Sequence, residues 1–206
     1  MSGAVHGYSD RINHAFAFAA KYHAPHAPRE GAMTFLAHPA NVAVILARHG
    51  VDELTIVAGI LHHVVEATPR VDRTDVCDKI TDKFGPVVLA VARDAAEMQV
   101  DDHGEMIPWI HRKRVLLNHL LIMEPRALDI CAADEIHDCG TAIALVERLG
   151  SEYLAIHGLP PAPQALGWYG DLLDALDRRT DWPARAMRHE LAALRAQLMG
   201  ALGDDD

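Results

Sequence analysis

The stretch Gly59-Ile60-Leu61-His62-His63-Val64-Val65-Glu66-Ala67-Thr68 decides how the chain is read. Asp52 offers an N-cap ahead of it, and Ile56, Ile60, Leu61 and Val64 recur at helical spacing, so the segment is expected to be a buried helix. On that helix His62 and Glu66 stand at i and i+4 and point in similar directions. His63 lies about 100° round from His62, so both rings can border one cavity from adjacent rows. Groups able to bind a cation or move a proton therefore interrupt an otherwise apolar helix. Two further candidates, His38 just before Pro39 and Asp134, lie far away in sequence and can join this set only through tertiary packing. By spacing alone, a metal site and a scatter of capping and core histidines both remain open.

The remaining segments also have helical period, and none alternates with period two. The chain is expected to be all-α, with about eight helices read directly and a bundle of about eight to ten overall. Helices are expected over Arg11–Tyr22, with Ile12, Phe16, Ala19 and Ala20 sharing a face, and from Pro39 to about His49, stopped by Gly50. Thr68 to Arg73 reads as a connector, with Thr74 capping a helix to Phe84. Gly85-Pro86 separates it from another helix running to about Glu97. The polar stretch from Met98 to Pro108 reads as irregular. Ile110–Met123 follows, with Val115, Leu116, Leu120 and Leu121 as its buried stripe, then a long helix from Pro125 through Asp134 to Leu149, ended by Gly150. After a proline-rich bend at Leu159–Pro163, two helices, Ala165–Asp177 and Pro183–Leu202, complete the pattern. The 206 residues are expected to form a single domain, with a core over 8–150 and a C-terminal helical pair over 165–202.

Composition narrows the function classes. Half of the chain is hydrophobic and only 5% is aromatic, which suits packed helices. The formal net charge of −10, without a Lys/Arg cluster, argues against a nucleic-acid-binding protein. A small phosphorylated ligand stays compatible, because a metal and one or two arginines can override a negative global field. The N-terminus lacks a basic segment followed by an apolar run, and no apolar run reaches about 18 residues, so the expectation is no membrane span and a cytoplasmic location. Cys77, Cys131 and Cys139 read as reduced thiols. The 14 histidines are the compositional oddity, and they invite a search for metal-ligand spacing.

That search meets a resemblance. The segments Leu36-Ala37-His38-Pro39-Ala40-Asn41-Val42-Ala43, Gly59 to Thr68, and Ala132-Ala133-Asp134-Glu135-Ile136-His137-Asp138 occur in order. They are similar to the signatures H-P-x-x-V-A, L-L-H-D-x-V-E-D-T and L-A-D-x-L-x-N of the RelA/SpoT-type (p)ppGpp hydrolase domain, a branch of the HD superfamily. Arg29 matches the family's base-stacking arginine, and Thr141 a threonine near the nucleotide. The helices carrying Trp168, Tyr169 and Leu172 resemble the C-terminal pair of small stand-alone alarmone hydrolases, so the likeness runs over about residues 8 to 200.

The resemblance implies an HD-type helical bundle that binds Mn²⁺ and removes the 3′-pyrophosphate of guanosine-3′,5′-bis(diphosphate). Carried over, His38, His62, His63 and Asp134 would be the metal ligands and Glu66 would handle the attacking water. Arg29, Asp138 and Thr141 would contact a small phosphorylated nucleotide. Physically, a divalent cation polarises a phosphoryl oxygen and acidifies water, and a neighbouring carboxylate can take the proton.

The chain departs from the pattern at informative places. His63 stands where the family has the Asp of its HD pair, which shifts preference from Mn²⁺ toward Zn²⁺, Fe²⁺ or Ni²⁺. Ala67 stands where the family has an acid–base Asp, a loss worth on the order of 10² to 10⁴ in rate. Glu30, Cys131 and Asp138 replace a basic residue, a lysine and an asparagine, and make the pocket more negative. A divergent metal-dependent phosphohydrolase and a catalytically impaired relative that binds a nucleotide or a protein partner both stay open. Room is also left for a homo-oligomer. Among weaker candidates, His14 and His23 read as solvated or capping, the run His111-Arg112-Lys113-Arg114 as a solvated helix face, and Trp168-Tyr169 as core.

Overall fold

A computed structural model of the chain describes residues 8–23, 36–99, 101, 105–152, 154, 160–182 and 185–203. Among these residues there are nine helices: α1 (Asp10–His23), α2 (Ala37–Arg48), α3 (Glu53–Ala67), α4 (Arg70–Phe84), α5 (Pro86–Ala95), α6 (Trp109–Leu120), α7 (Pro125–Leu149), α8 (Ala162–Arg178) and α9 (Arg185–Gly203). The all-α expectation holds, and α7 has the bounds its proline and glycine signals predicted. None of the described helices is long and apolar enough to cross a membrane.

The centre of the bundle is α3, packed against α1, α2, α4, α5 and α7. Its sequence explains this position. A helix apolar on nearly every side can be satisfied only by neighbours on nearly every side, and from Thr55 to Glu66 only His63 is not fully buried. Asp52 caps its start, with Oδ1 accepting the Thr55 N–H at 2.8 Å. At Gly59 the absent side chain allows close approach, since a Cβ there would stand 2.7 Å from Leu46 Cδ1 of α2. The second organiser is α7, which contacts α2, α3 and α5 on one side and α9 on the other, while α8 bridges α9 and α6.

Chain reversals fall at the predicted glycines. Gly50 follows α2 with φ +73° and Gly85 separates α4 from α5 with φ +94°, a backbone region that side chains with a Cβ rarely enter.

Several expectations are corrected. Helix α4 begins at Arg70, not Thr74, with Pro69 at its N-cap and Thr68 closing α3. Its first turn has little apolar content, and Val71 is 88% exposed, so hydrophobic periodicity could not announce it. Helix α8 begins at Ala162, taking Pro163 into its first turn, where a missing N–H leaves no bond unmade. In α1 the buried face is Ala15, Phe18 and Ala19, with Ile12, Phe16 and Ala20 on its flanks. Helix α6 ends at Leu120 rather than Met123; Leu116 and Leu120 are buried as expected, but Val115 and Leu121 are exposed, and Met123, beyond the helix, is buried. Trp168 and Tyr169 are buried core residues, and all three cysteines are free thiols. Arg29 and Glu30 lie outside the described residues.

A candidate metal centre of three histidines and an aspartate

Packing of α2 and α7 onto α3 brings the distant candidates together. His38, from the first turn of α2, sets Nε2 2.6 Å from Asp134 Oδ1 on α7. The same oxygen lies 3.3 Å from His63 Nε2 and 3.7 Å from His62 Nε2, both on α3. One carboxylate oxygen is thus approached by three imidazole nitrogens. The rings are close, with centroids 3.9 Å apart for His62 and His63 and 4.3 Å apart for His38 and His63.

The other nitrogens show how each ring is held. His62 Nδ1 donates to the Gly59 carbonyl one turn back at 2.6 Å, which leaves Nε2 as the nitrogen with a lone pair. His63 Nδ1 is 2.7 Å from Glu66 Oε2, and His38 Nδ1 is 3.6 Å from Asp138 Oδ1. His63 Nε2 is buried and has no hydrogen-bond partner, being near Asp134 but misaligned with it. A buried polar nitrogen without a partner is uncommon. Converging imidazoles turned outward by Nδ1 acceptors, together with one carboxylate, form the donor set that divalent first-row metals bind. The residues present fit such an ion.

The electrostatics agree. Burial alone would raise the Asp134 carboxyl, but the hydrogen-bonded His38, with the His62 and His63 rings beside it, outweighs burial and holds Asp134 well below the carboxylate range. Burial alone would lower the His63 imidazole, yet Glu66 and Asp134 together push it up to about 10. Glu66 is lowered, its burial outweighed by His63.

Two of the proposed nucleotide contacts lie on α7 at the edge of this set. Burial, with Asp134 and Glu135 nearby, raises Asp138 to about 7. Thr141 is not among the groups around Asp134, and its Oγ1 is 3.3 Å from His137 Nδ1. His137 was missed by the sequence reading, although it follows Asp134 at i+3 and shares its face. Its ring centroid is 4.3 Å from that of His38 with the planes tilted by 46°, its Nε2 is buried without a partner, and burial with the nearby His38 lowers it to about 4.

A buried charge network behind Asp134 was also missed. Lys113 Nζ is 2.9 Å from both Glu97 Oε2 and Glu135 Oε1, and Arg112 Nη1 is 2.9 Å from Glu97 Oε1. Trp168 Nε1 donates to Glu135 Oε2. The expected solvated face at residues 111–114 is therefore corrected. His111 and Arg114 are exposed, but Arg112 and Lys113 turn inward to meet acids. Against its own burial, Lys113 is raised by its two acids. Glu135 is also raised, because its burial and the adjacent Asp134 outweigh the shared ammonium. One cation divided between two acids gives both directions. His14 is exposed, its ring 5.1 Å from that of Phe84.

Comparison with known proteins adds family context. Residues 15–120 match the family described as HD domain. The chain is 24% identical over 196 residues to the GTP pyrophosphokinase of Myxococcus xanthus, covering 92% of this chain and 24% of that protein. It is 32% identical over 131 residues to the probable GTP pyrophosphokinase of Mycobacterium leprae, covering 63% of this chain and 16% of that protein. The chain thus spans a quarter or less of these relatives. Among solved structures, a metazoan SpoT orthologue described as hydrolysing ppGpp superposes with a TM-score of 0.68 at 20% identity, over 94% of this chain and 98% of that one. A protein of Listeria monocytogenes superposes with a TM-score of 0.61 at 18% identity, over 81% of this chain and 99% of that one. At these identities the likeness is one of fold.

Proposed function

The chain belongs to the HD-domain family, and from that premise we propose that it is a metal-dependent phosphohydrolase acting on a guanosine nucleotide of the (p)ppGpp kind. The observation that carries the reading is the approach of His38, His62 and His63 to the single oxygen Asp134 Oδ1. In this reading these residues hold a divalent cation. Three neutral imidazoles and one carboxylate suit Zn²⁺, Fe²⁺ or Ni²⁺ at least as well as Mn²⁺. When bound, the cation supplies a Lewis acid that polarises a phosphoryl oxygen and acidifies water. The chain's own part is to present the four ligands and exclude bulk solvent from the deeper two, since His62 is almost fully buried and His63 largely so. Asp138 and Thr141, both on α7, are the proposed nucleotide contacts, and Arg29 is the residue that the resemblance assigns to the nucleobase. The relatives' names motivate the nucleotide class.

A second reading, a relative that binds its nucleotide without cleaving it, is favoured by one residue. Ala67 ends α3 where the resembled family has an acid–base aspartate.

Elemental analysis of the purified protein and of His63→Ala, followed by a ppGpp hydrolysis assay with Mn²⁺ and with Zn²⁺, tests both. About one equivalent of metal, lost in the variant, with released pyrophosphate supports the enzyme. Metal without turnover leaves the binding protein. A protein that is metal-free and ignores both added ions overturns the metal-dependent reading.

A further inference from the structure

Glu66 is the acid beside the ligand set, but its bonds already commit it. The residue is 6% exposed. Its Oε2 accepts from His63 Nδ1 at 2.7 Å and its Oε1 accepts from the backbone N–H of Glu97 at 2.6 Å. The donor of that second bond is itself anchored, because the Glu97 side chain is gripped by Arg112 through one oxygen and Lys113 through the other. Lys113 in turn is tied to Glu135, the residue after Asp134.

We propose that Glu66 is a positioning residue for His63, holding the ring by Nδ1 so that Nε2 is the nitrogen offered to the cation, and that it does not take the proton of the attacking water. The inference rests on the metal-site reading above.

Three features carry it. First, His63 Nε2 is the buried nitrogen with no hydrogen-bond partner, and it is the end turned toward Asp134. Nδ1 is occupied by Glu66, so the ring cannot present its other nitrogen without breaking a short bond to a buried carboxylate. Second, an N–H donated to a carboxylate makes the opposite nitrogen more basic and fixes the ring's rotation, and this is how protein-bound metals are commonly supported. His62 repeats the arrangement with the Gly59 carbonyl. Third, the bond exists because position 63 is histidine. An aspartate there would repel Glu66, whereas an imidazole recruits it. The neutral ring that replaces a charged ligand thus borrows part of the missing charge from Glu66.

The test is zinc affinity of the full chain, measured by competition with a chromophoric chelator. Glu66→Gln keeps the shape but can accept only one of the two bonds, and it is expected to bind zinc about 10- to 100-fold more weakly. In a His63→Ala background the same substitution should change the weak zinc affinity that remains by less than about twofold, because the coupling runs through the ring. On the zinc-loaded wild type, ¹⁵N-histidine NMR should show His63 protonated at Nδ1 and metallated at Nε2, a readout that requires no variant to fold. Unchanged zinc affinity in Glu66→Gln alongside lost turnover would make Glu66 the base and overturn the proposal. So would metallation of His63 at Nδ1. If the wild type binds neither zinc nor manganese, the metal-site reading falls and this inference falls with it. A wild type that binds while Glu66→Gln binds equally well removes the inference alone.

Discussion

Trp168 Nε1 donates a 2.8 Å hydrogen bond to Glu135 Oε2, so a side chain of α8 partners the residue that follows Asp134. The pair is buried, and the Lys113 ammonium lies 4.8 Å from the indole centroid. Replacing Trp168 with Phe keeps the aromatic contact but leaves one oxygen of a buried carboxylate without its donor. The expected loss is about 1–3 kcal/mol, read from the midpoint of urea unfolding. A change below a few tenths would mean that water replaces the indole.

Lys113 answers to Glu97 and Glu135 at once. In Lys113→Met the buried Glu135 carboxylate loses its cation, while the partly buried Glu97 keeps Arg112, and destabilisation of about 3 kcal/mol is expected. The pH dependence has a definite sign. The folded-state pKa of Lys113 is raised, so its contribution is fully present below the unfolded value of about 10.4. It is lost as pH climbs from there through the higher folded value. Denaturant midpoints followed from pH 8 upward should fall in the wild type beyond about pH 10, and this component should be missing from Lys113→Met.

At Gly59, alanine is favoured by helix propensity by about 1 kcal/mol. The added Cβ, however, meets Leu46 Cδ1 at 2.7 Å, and Leu46 is fully buried and has little room to yield. Overpacking of about 1–3 kcal/mol should win, giving a net loss in thermal or urea unfolding for Gly59→Ala. Because the Gly59 carbonyl also holds His62 Nδ1, metal affinity should weaken in the same variant.

The double substitution His63→Asp with Ala67→Asp restores both acids of the resembled family. It should shift metal preference from zinc toward manganese and create or raise Mn²⁺-dependent ppGpp hydrolysis, by up to about 10²- to 10⁴-fold for the acid–base partner. A folded, manganese-loaded double variant without turnover would show that the pocket has diverged beyond those two positions.

What was legible in the sequence follows from how far each signal reaches. Proline and glycine punctuation placed α7 at its observed bounds, and the apolar run of α3 announced a central helix, because these signals are local. The first turn of α4 escaped, since an exposed, polar turn has no periodicity to read. The convergence of His38, His62, His63 and Asp134 was named in advance only because their segments resembled a family, as spacing could not join α2 to α7. The roles of Lys113 and Glu97 were not legible. A basic run on a helix looks alike whether it meets water or acids, and only the fold, by bringing Glu97 and Glu135 to α6, decides.

Asp134 and Glu135 are consecutive residues about 100° apart around α7, the first facing the histidines and the second facing Lys113 and Trp168. Neighbours on one helix cannot be turned independently. A small roll of α7 about its axis would swing both carboxylates in the same sense, pulling one from the imidazoles as it drives the other against the indole. The helix is in effect a keyed shaft, fixed against rotation by two notches. Through Trp168, the C-terminal part of the fold thus helps to fix the angle at which Asp134, the proposed fourth ligand, is presented.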